Sequence, residues 1–129
     1  MELGAGTYLP AAEDTDFFYR ASRAGARIVY SPDALVYHNH GRRTERDRRN
    51  LIRSYFIGIG GLYMKYILQG DRTVLRVAYW ETAALFSHAL RKIVKLQSAG
   101  EELRRLGHYA TGAWRYSIHY LWRPRRAKS

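Results

Sequence analysis

Between Asp47 and Leu121 apolar side chains recur every three or four residues, in three successive runs. The first covers about residues 47–68, with positions 52, 55, 56, 59, 62, 63, 66 and 67. The second covers about 73–96, with positions 75, 78, 82, 85, 86, 89, 93 and 96. The third joins Leu103, Leu106, Ala110, Trp114, Ile118 and Leu121. That spacing predicts amphipathic helices, and Gly70-Asp71 and Ala99-Gly100 divide them into three. Gly58, Gly60 and Gly61 interrupt the first run, at about 1 kcal/mol each relative to Ala. They mark either a kink or a close approach of another element. An aromatic at helical spacing is more often core than interface, so Tyr55, Phe56 and Phe86 are expected to be buried.

Only residues 1–43 are left for anything other than these helices. Met1–Ala12, with Gly4, Gly6 and Pro10, reads as a loop, and Asp14–Ala24 reads as a helix. Glu13, Asp14 and Asp16 suit the positive end of its dipole, and Gly25 suits its C′ position. Arg27–Tyr30 and Ala34–His38 read as short strands around a Ser31-Pro32-Asp33 turn. Two short strands do not make a stable sheet alone. The expected fold class is therefore an α/β fragment over 1–43, the trailing edge of a larger sheet, followed by a mainly α-helical extension of about three helices over 44–129.

The chain has no cysteine, which excludes disulfides, thiolate zinc sites and cysteine nucleophiles. Its formal charge of +11 divides unevenly. Residues 1–41 hold five acids and three bases, whereas residues 42–129 hold 19 bases and six acids. Such asymmetry marks two jobs on one chain. The longest charge-free run, Ser54 to Met64, has 11 residues, well short of the roughly 20 that a transmembrane helix needs. Met1-Glu2 opens no secretory leader pattern.

The chemistry concentrates in Gly4-Ala5-Gly6-Thr7, then Ala12-Glu13-Asp14-Thr15-Asp16-Phe17-Phe18-Tyr19-Arg20, then Gly25 through His38. A Gly-containing loop, a Glu-Asp pair opening a helix, an Arg within that helix and a Gly at its end are followed by Tyr30-Ser31-Pro32-Asp33-Ala34-Leu35-Val36-Tyr37-His38. This series, over about the first 42 residues, strongly resembles the C-terminal half of the catalytic domain of family 2 glycosyltransferases, which adopt the GT-A fold. The helical part resembles that family's basic amphipathic C-terminal extensions more loosely.

The resemblance implies inverting transfer of a sugar from a nucleotide-sugar donor to a hydroxyl of a glycan or lipid-linked acceptor. It makes Asp14 the general base and Glu13 its supporting carboxylate. A base placed against an acceptor hydroxyl is what the reaction requires. It makes His38 a ligand of a divalent metal, Mn or Mg, that holds the donor diphosphate, with His40 as the alternative. The loop residues Gly4, Gly6 and Thr7 would border the substrates. Arg42 and Arg43 would reach a diphosphate through their guanidinium forks. Taken alone, the same residues read as helix-dipole acids, a strand-end histidine and a solvated basic turn.

Asp14-Thr15-Asp16 spells D-x-D, the metal motif of GT-A enzymes, but it follows Pro10-Ala11-Ala12-Glu13 and leads into a helical pattern. It reads as the base region, and no other D-x-D occurs. The nucleotide-binding half of such an enzyme is not represented, so the chain by itself is expected to be inactive.

The basic helices admit two partners. Tyr and Trp among Arg and Lys on amphipathic helices suit the headgroup region of a membrane, consistent with a peripheral protein on the inner, cytoplasmic face. Nucleic acid is the weaker reading, since no helix-turn-helix, RNA-recognition or zinc signature is present. The alternative of a different class is a small non-enzymatic basic protein binding one of these surfaces.

Overall fold

A computed structural model describes residues 3–4, 6–37, 41 and 44–122. Four helices follow in order: α1 (Glu13–Arg23), α2 (Glu45–Leu68), α3 (Arg72–Val94) and α4 (Gly100–Trp122). The three helices expected after residue 44 are present, and so is the helix expected near residues 14–24.

Their ends carry local signals. Thr44 caps α2 through a reciprocal box: Asp47 N–H donates to Thr44 Oγ1 at 3.1 Å, and Thr44 N–H donates to Asp47 Oδ2 at 3.1 Å. Such a cap is worth about 1 kcal/mol. Asp71 caps α3, accepting from the Thr73 and Val74 amides at 3.0 and 3.2 Å. Helices α1, α2 and α3 all end in Schellman turns. The left-handed residue is Gly25 after α1 and Gly70 after α2, but Leu96 after α3, at φ 56°.

The expected α/β fold class is corrected. Among the described residues there is no strand, only an isolated bridge between Leu3 and Leu9. Residues 26–37 form an irregular, exposed segment. Ile28, Val29, Tyr30, Leu35, Val36 and Tyr37 are each more than half exposed. The β-like composition is present, but among the described residues no neighbouring strand accepts its ladder bonds, and a lone hairpin of this size has too little to bury.

The core lies between the N-terminal loop and the helices. Leu3, Leu9, Ala12, Ile57, Leu62, Tyr66, Val74 and Tyr116 pack as one cluster, with Leu9 wholly buried. The glycines of α2 are points of close approach. A Cβ on Gly58 would lie 2.5 Å from the Ala11 carbonyl oxygen, and one on Gly61 would lie 2.5 Å from Leu9 Cδ1. Gly60 and Gly112 let α2 and α4 cross backbone against backbone, Gly60 beside Tyr109 and Gly112 beside Ile57. Helix α4 also holds the loop, through Arg115 donating to the Tyr8 carbonyl at 3.2 Å and His119 stacking on the Tyr8 ring.

The outer helices leave apolar side chains in solvent. On α3, Leu75, Tyr79, Phe86, Leu90 and Ile93 share one face and are each more than half exposed. On α4, Leu103, Trp114 and Leu121 behave likewise. Tyr55 and Phe86 are exposed, while Phe56 is half-buried edge-on against Tyr109. Polar groups join the inward faces instead. Tyr63 and Tyr109 both donate to Glu81 Oε2 at 2.8 Å, and Lys92 and His88 meet Glu102 at 2.6 and 3.0 Å. Among the described residues no helix is long and apolar enough to cross a membrane.

Candidate functional site

The Glu-Asp pair opens α1 directly after Ala12, a buried residue held at φ 77°. A non-glycine residue there costs about 1–3 kcal/mol. Ala12 and Ala11 are fixed against α2, so the first turn of α1 is set at a defined place on that helix. Period 3.6 then separates the three acids: positions 14 and 16 fall on nearly opposite sides.

Asp16 turns inward. Its Oδ1 accepts from Lys65 Nζ at 2.7 Å and from Tyr66 Oη at 2.8 Å, and its Oδ2 accepts from Arg20 Nε at 3.0 Å. Burial raises its carboxyl, but the Lys65 and Tyr66 hydrogen bonds and the charges of Lys65 and Arg20 outweigh it, so Asp16 stays below the ordinary carboxylate range. The same burial, with Asp16 as acceptor, raises the Tyr66 phenol. Asp16 is therefore the acid that docks α1 onto α2. Close by, Asp71 accepts from Tyr19 and pairs with Arg23 at 3.3 Å, joining α1 to the start of α3.

Asp14 turns outward and is exposed, with Glu13 half-buried beside it. Both line a cavity of about 350 Å³ between α1 and α2. The opposite wall is Asp47, Asn50, Leu51, Ser54 and Tyr55. Positions 47, 50, 51 and 54 are one helical face, the i, i+3, i+4, i+7 set. The cavity thus offers carboxylates, an amide, a hydroxyl and an aromatic ring, at the lower end of the roughly 300–1,000 Å³ range of small-molecule clefts.

The loop residues divide. Gly4 lies against the Glu13 side chain, where an added Cβ would sit 3.5 Å from Glu13 Cβ, an ordinary contact. Its φ of 121°, rather than lack of space, is what favours glycine there. Thr7 closes the loop: its hydroxyl lies 2.9 Å from the Gly4 carbonyl and 2.7 Å from the Leu9 carbonyl, and it accepts from the Leu9 amide at 3.2 Å. Gly6 is exposed and touches neither cavity wall. His38, His40, Arg42 and Arg43 lie outside the described residues. Among the described residues no three His, Asp or Glu side chains are placed to hold a metal ion.

Sequence reasoning missed the role of Asp16 and the facing wall of the cavity. Lys65, adjacent to the apolar positions 62, 63 and 66, was the signal for a buried acid partner. The capping box Thr44-x-x-Asp47, which the sequence reading did not use, is the local signal for the start of α2 and for the face carrying Asn50 and Ser54.

No family model matches this chain, and no curated protein or solved structure matches it.

Proposed function

We propose that this chain supplies the acceptor side of an inverting sugar transfer, of the kind catalysed by family 2 glycosyltransferases, at a membrane surface. In this reading Asp14 takes the proton of an acceptor hydroxyl as that oxygen attacks the anomeric carbon of a nucleotide sugar. Glu13 supports it, and Asn50, Ser54 and Tyr55 orient the acceptor sugar. The observation that carries the reading is the shared cavity, in which the outward Asp14 faces a wall of sugar-compatible polar and aromatic groups. The acceptor is a glycan or a lipid-linked glycan, in cell-surface polysaccharide or glycoconjugate synthesis. A divalent metal with His38 as a ligand belongs to the donor side of the proposal, and no step here runs through it.

Titration of the chain with mono- and oligosaccharides, followed by amide resonances, tests this reading. Shifts confined to residues 13–15 and 47–55 support it. Shifts elsewhere, or none across the panel, overturn it.

The exposed apolar faces of α3 and α4 favour a membrane partner. Arg72, Arg76 and Arg91 accompany the α3 stripe, and a basic helix with Trp, Tyr and Leu facing outward suits an anionic bilayer. Peripheral placement on the inner face follows from that proposal. The same stripes also favour the second reading, a non-enzymatic membrane-binding protein. That reading requires no role for Asp14, so sugar transfer dependent on Asp14 separates the two.

A further inference from the structure

A second cavity, of about 340 Å³, opens where the first turns of α2 pass the first turns of α4. Arg48, Arg49 and Arg53 line it from α2, and Arg104, Arg105 and His108 line it from α4. Two acids share the space. Glu45 accepts from Arg48 through two bonds of 2.8 Å and lies 3.8 Å from Arg49, and Glu101 pairs with Arg105. Five guanidinium groups thus meet two carboxylates, leaving three positive charges in excess. Among the described residues, neither Arg53 nor Arg104 forms an ion pair. Burial lowers the His108 imidazole below its ordinary range, and the charges of Arg53 and Arg104 lower it further.

Like charges held together in a cavity are unfavourable until an anion joins them. Guanidinium groups present planar forks matched to phosphate oxygens. Arg53 and Arg104 come from different helices and line the same cavity, so one anionic ligand in it faces both.

We propose that this cavity binds a diphosphate ester, gripped by Arg53 from α2 and Arg104 from α4, with His108 as the neighbouring donor. The site adjoins the carboxylate cavity, because Asn50 lines both. Helix α2 therefore separates an acidic cleft suited to a sugar hydroxyl from a basic one suited to a diphosphate. The diphosphate belongs either to a nucleotide or to a lipid carrier, and the chemistry recognised is the same.

Calorimetric titration with inorganic pyrophosphate tests the site without any sugar present, so its outcome is independent of whether Asp14 removes a proton. Wild-type protein is expected to bind. The double variant Arg53→Gln/Arg104→Gln is expected to lose about tenfold in affinity for each arginine removed. Arg27→Gln/Lys95→Gln removes the same charge from exposed positions outside the cavity and is expected to bind within about twofold of wild type. Equal losses in the two doubles, or no wild-type binding, overturn the proposal. On unmodified protein, pyrophosphate is expected to shift the His108 ring resonances and raise its pKa; an unmoved His108 overturns the proposal irrespective of how the variants fold. Uridine diphosphate and farnesyl diphosphate then distinguish the sources. Tighter binding of the first assigns a nucleotide ligand, and of the second a lipid-linked one.

Discussion

Replacing Gly112 by Ala is expected to destabilise the protein although alanine is the better helix former. In a helix interior Gly→Ala gains about 0.8–1.0 kcal/mol. At Gly112 the new Cβ would lie 2.8 Å from both Gly61 N and the Ile57 carbonyl carbon, and closer still to the Ile57 oxygen. These are backbone atoms of α2 and cannot rotate away. Ordinary contact is recovered only if the helices part by about 1 Å, a gap that forfeits roughly a quarter to a half of each dispersion contact along the crossing. Overpacking of this kind costs about 1–3 kcal/mol, and more where backbone must move. The net expectation is a loss of about 2 kcal/mol. Gly107 lies on the same helix, exposed, with nothing within 4 Å of a Cβ. There Ala keeps its helical advantage, and Gly107→Ala is expected to gain about 0.5–1 kcal/mol. Urea unfolding of both variants, followed by far-UV circular dichroism, reads the difference. A Gly112→Ala protein as stable as wild type would refute the close crossing. Equal destabilisation at Gly107 would refute the distinction between the two faces of α4.

Other expectations concern the acid anchor, the strained turn and the outer face. Asp16→Asn leaves Lys65, whose side chain is only 14% exposed, without its carboxylate, and is expected to cost about 2–3 kcal/mol. Because the folded Asp16 pKa is below its ordinary 3.8, that contribution is complete above about pH 4 and fades as pH falls through the folded value. Asp16→Asn should flatten this acid limb, and an unchanged pH–stability profile would count against the Lys65–Asp16–Tyr66 arrangement. Leu96→Gly removes a left-handed strain of about 1–2 kcal/mol at a fully exposed turn. Against a greater unfolded-state entropy of about 0.4–1 kcal/mol, a rise in the urea midpoint is expected; a fall would mean that Leu96 makes a stabilising contact. Phe86→Glu/Leu90→Glu is expected to weaken binding to anionic vesicles at least about tenfold while leaving helicity intact. Undiminished vesicle binding would remove α3 as the membrane face.

The helices were readable because their signals are local. Period 3.6, Thr44, Asp71, Gly25 and Gly70 act within a turn or two of themselves, so the order and approximate ends of α1 to α4 follow from neighbours in sequence. Partnering is not local, and there the reading failed. Residues 27–30 and 34–38 have strand composition, but a strand exists only with a neighbour to accept its bonds, and no described residues supply one. Tyr55, Phe56 and Phe86 were expected to be buried because aromatics at helical spacing usually are. In the structure, glycine-lined crossings and tyrosine–carboxylate bonds occupy the inner faces; the row on α3 is divided, with Ala89 buried and Leu75, Phe86 and Ile93 exposed, and Leu103, Trp114 and Leu121 of α4 remain outside. Within the site, the position of Asp14 at a helix start was legible. The opposite roles of Asp14 and Asp16 were not, because they depend on which side of α1 meets Lys65.

The central claim is that Asp14 removes the acceptor proton in sugar transfer. It is tested most directly by sugar incorporation from a panel of nucleotide sugars, using membranes from cells that express this chain joined to the nucleotide-binding half of a family 2 glycosyltransferase, with Asp14 or with Asp14→Asn. A lost general base is worth about 10²–10⁴-fold in rate, so the variant is expected to lose at least about a hundredfold in kcat with little change in acceptor KM. Turnover by Asp14→Asn close to that of the unaltered protein, or no incorporation from any donor by the unaltered protein, would contradict the account.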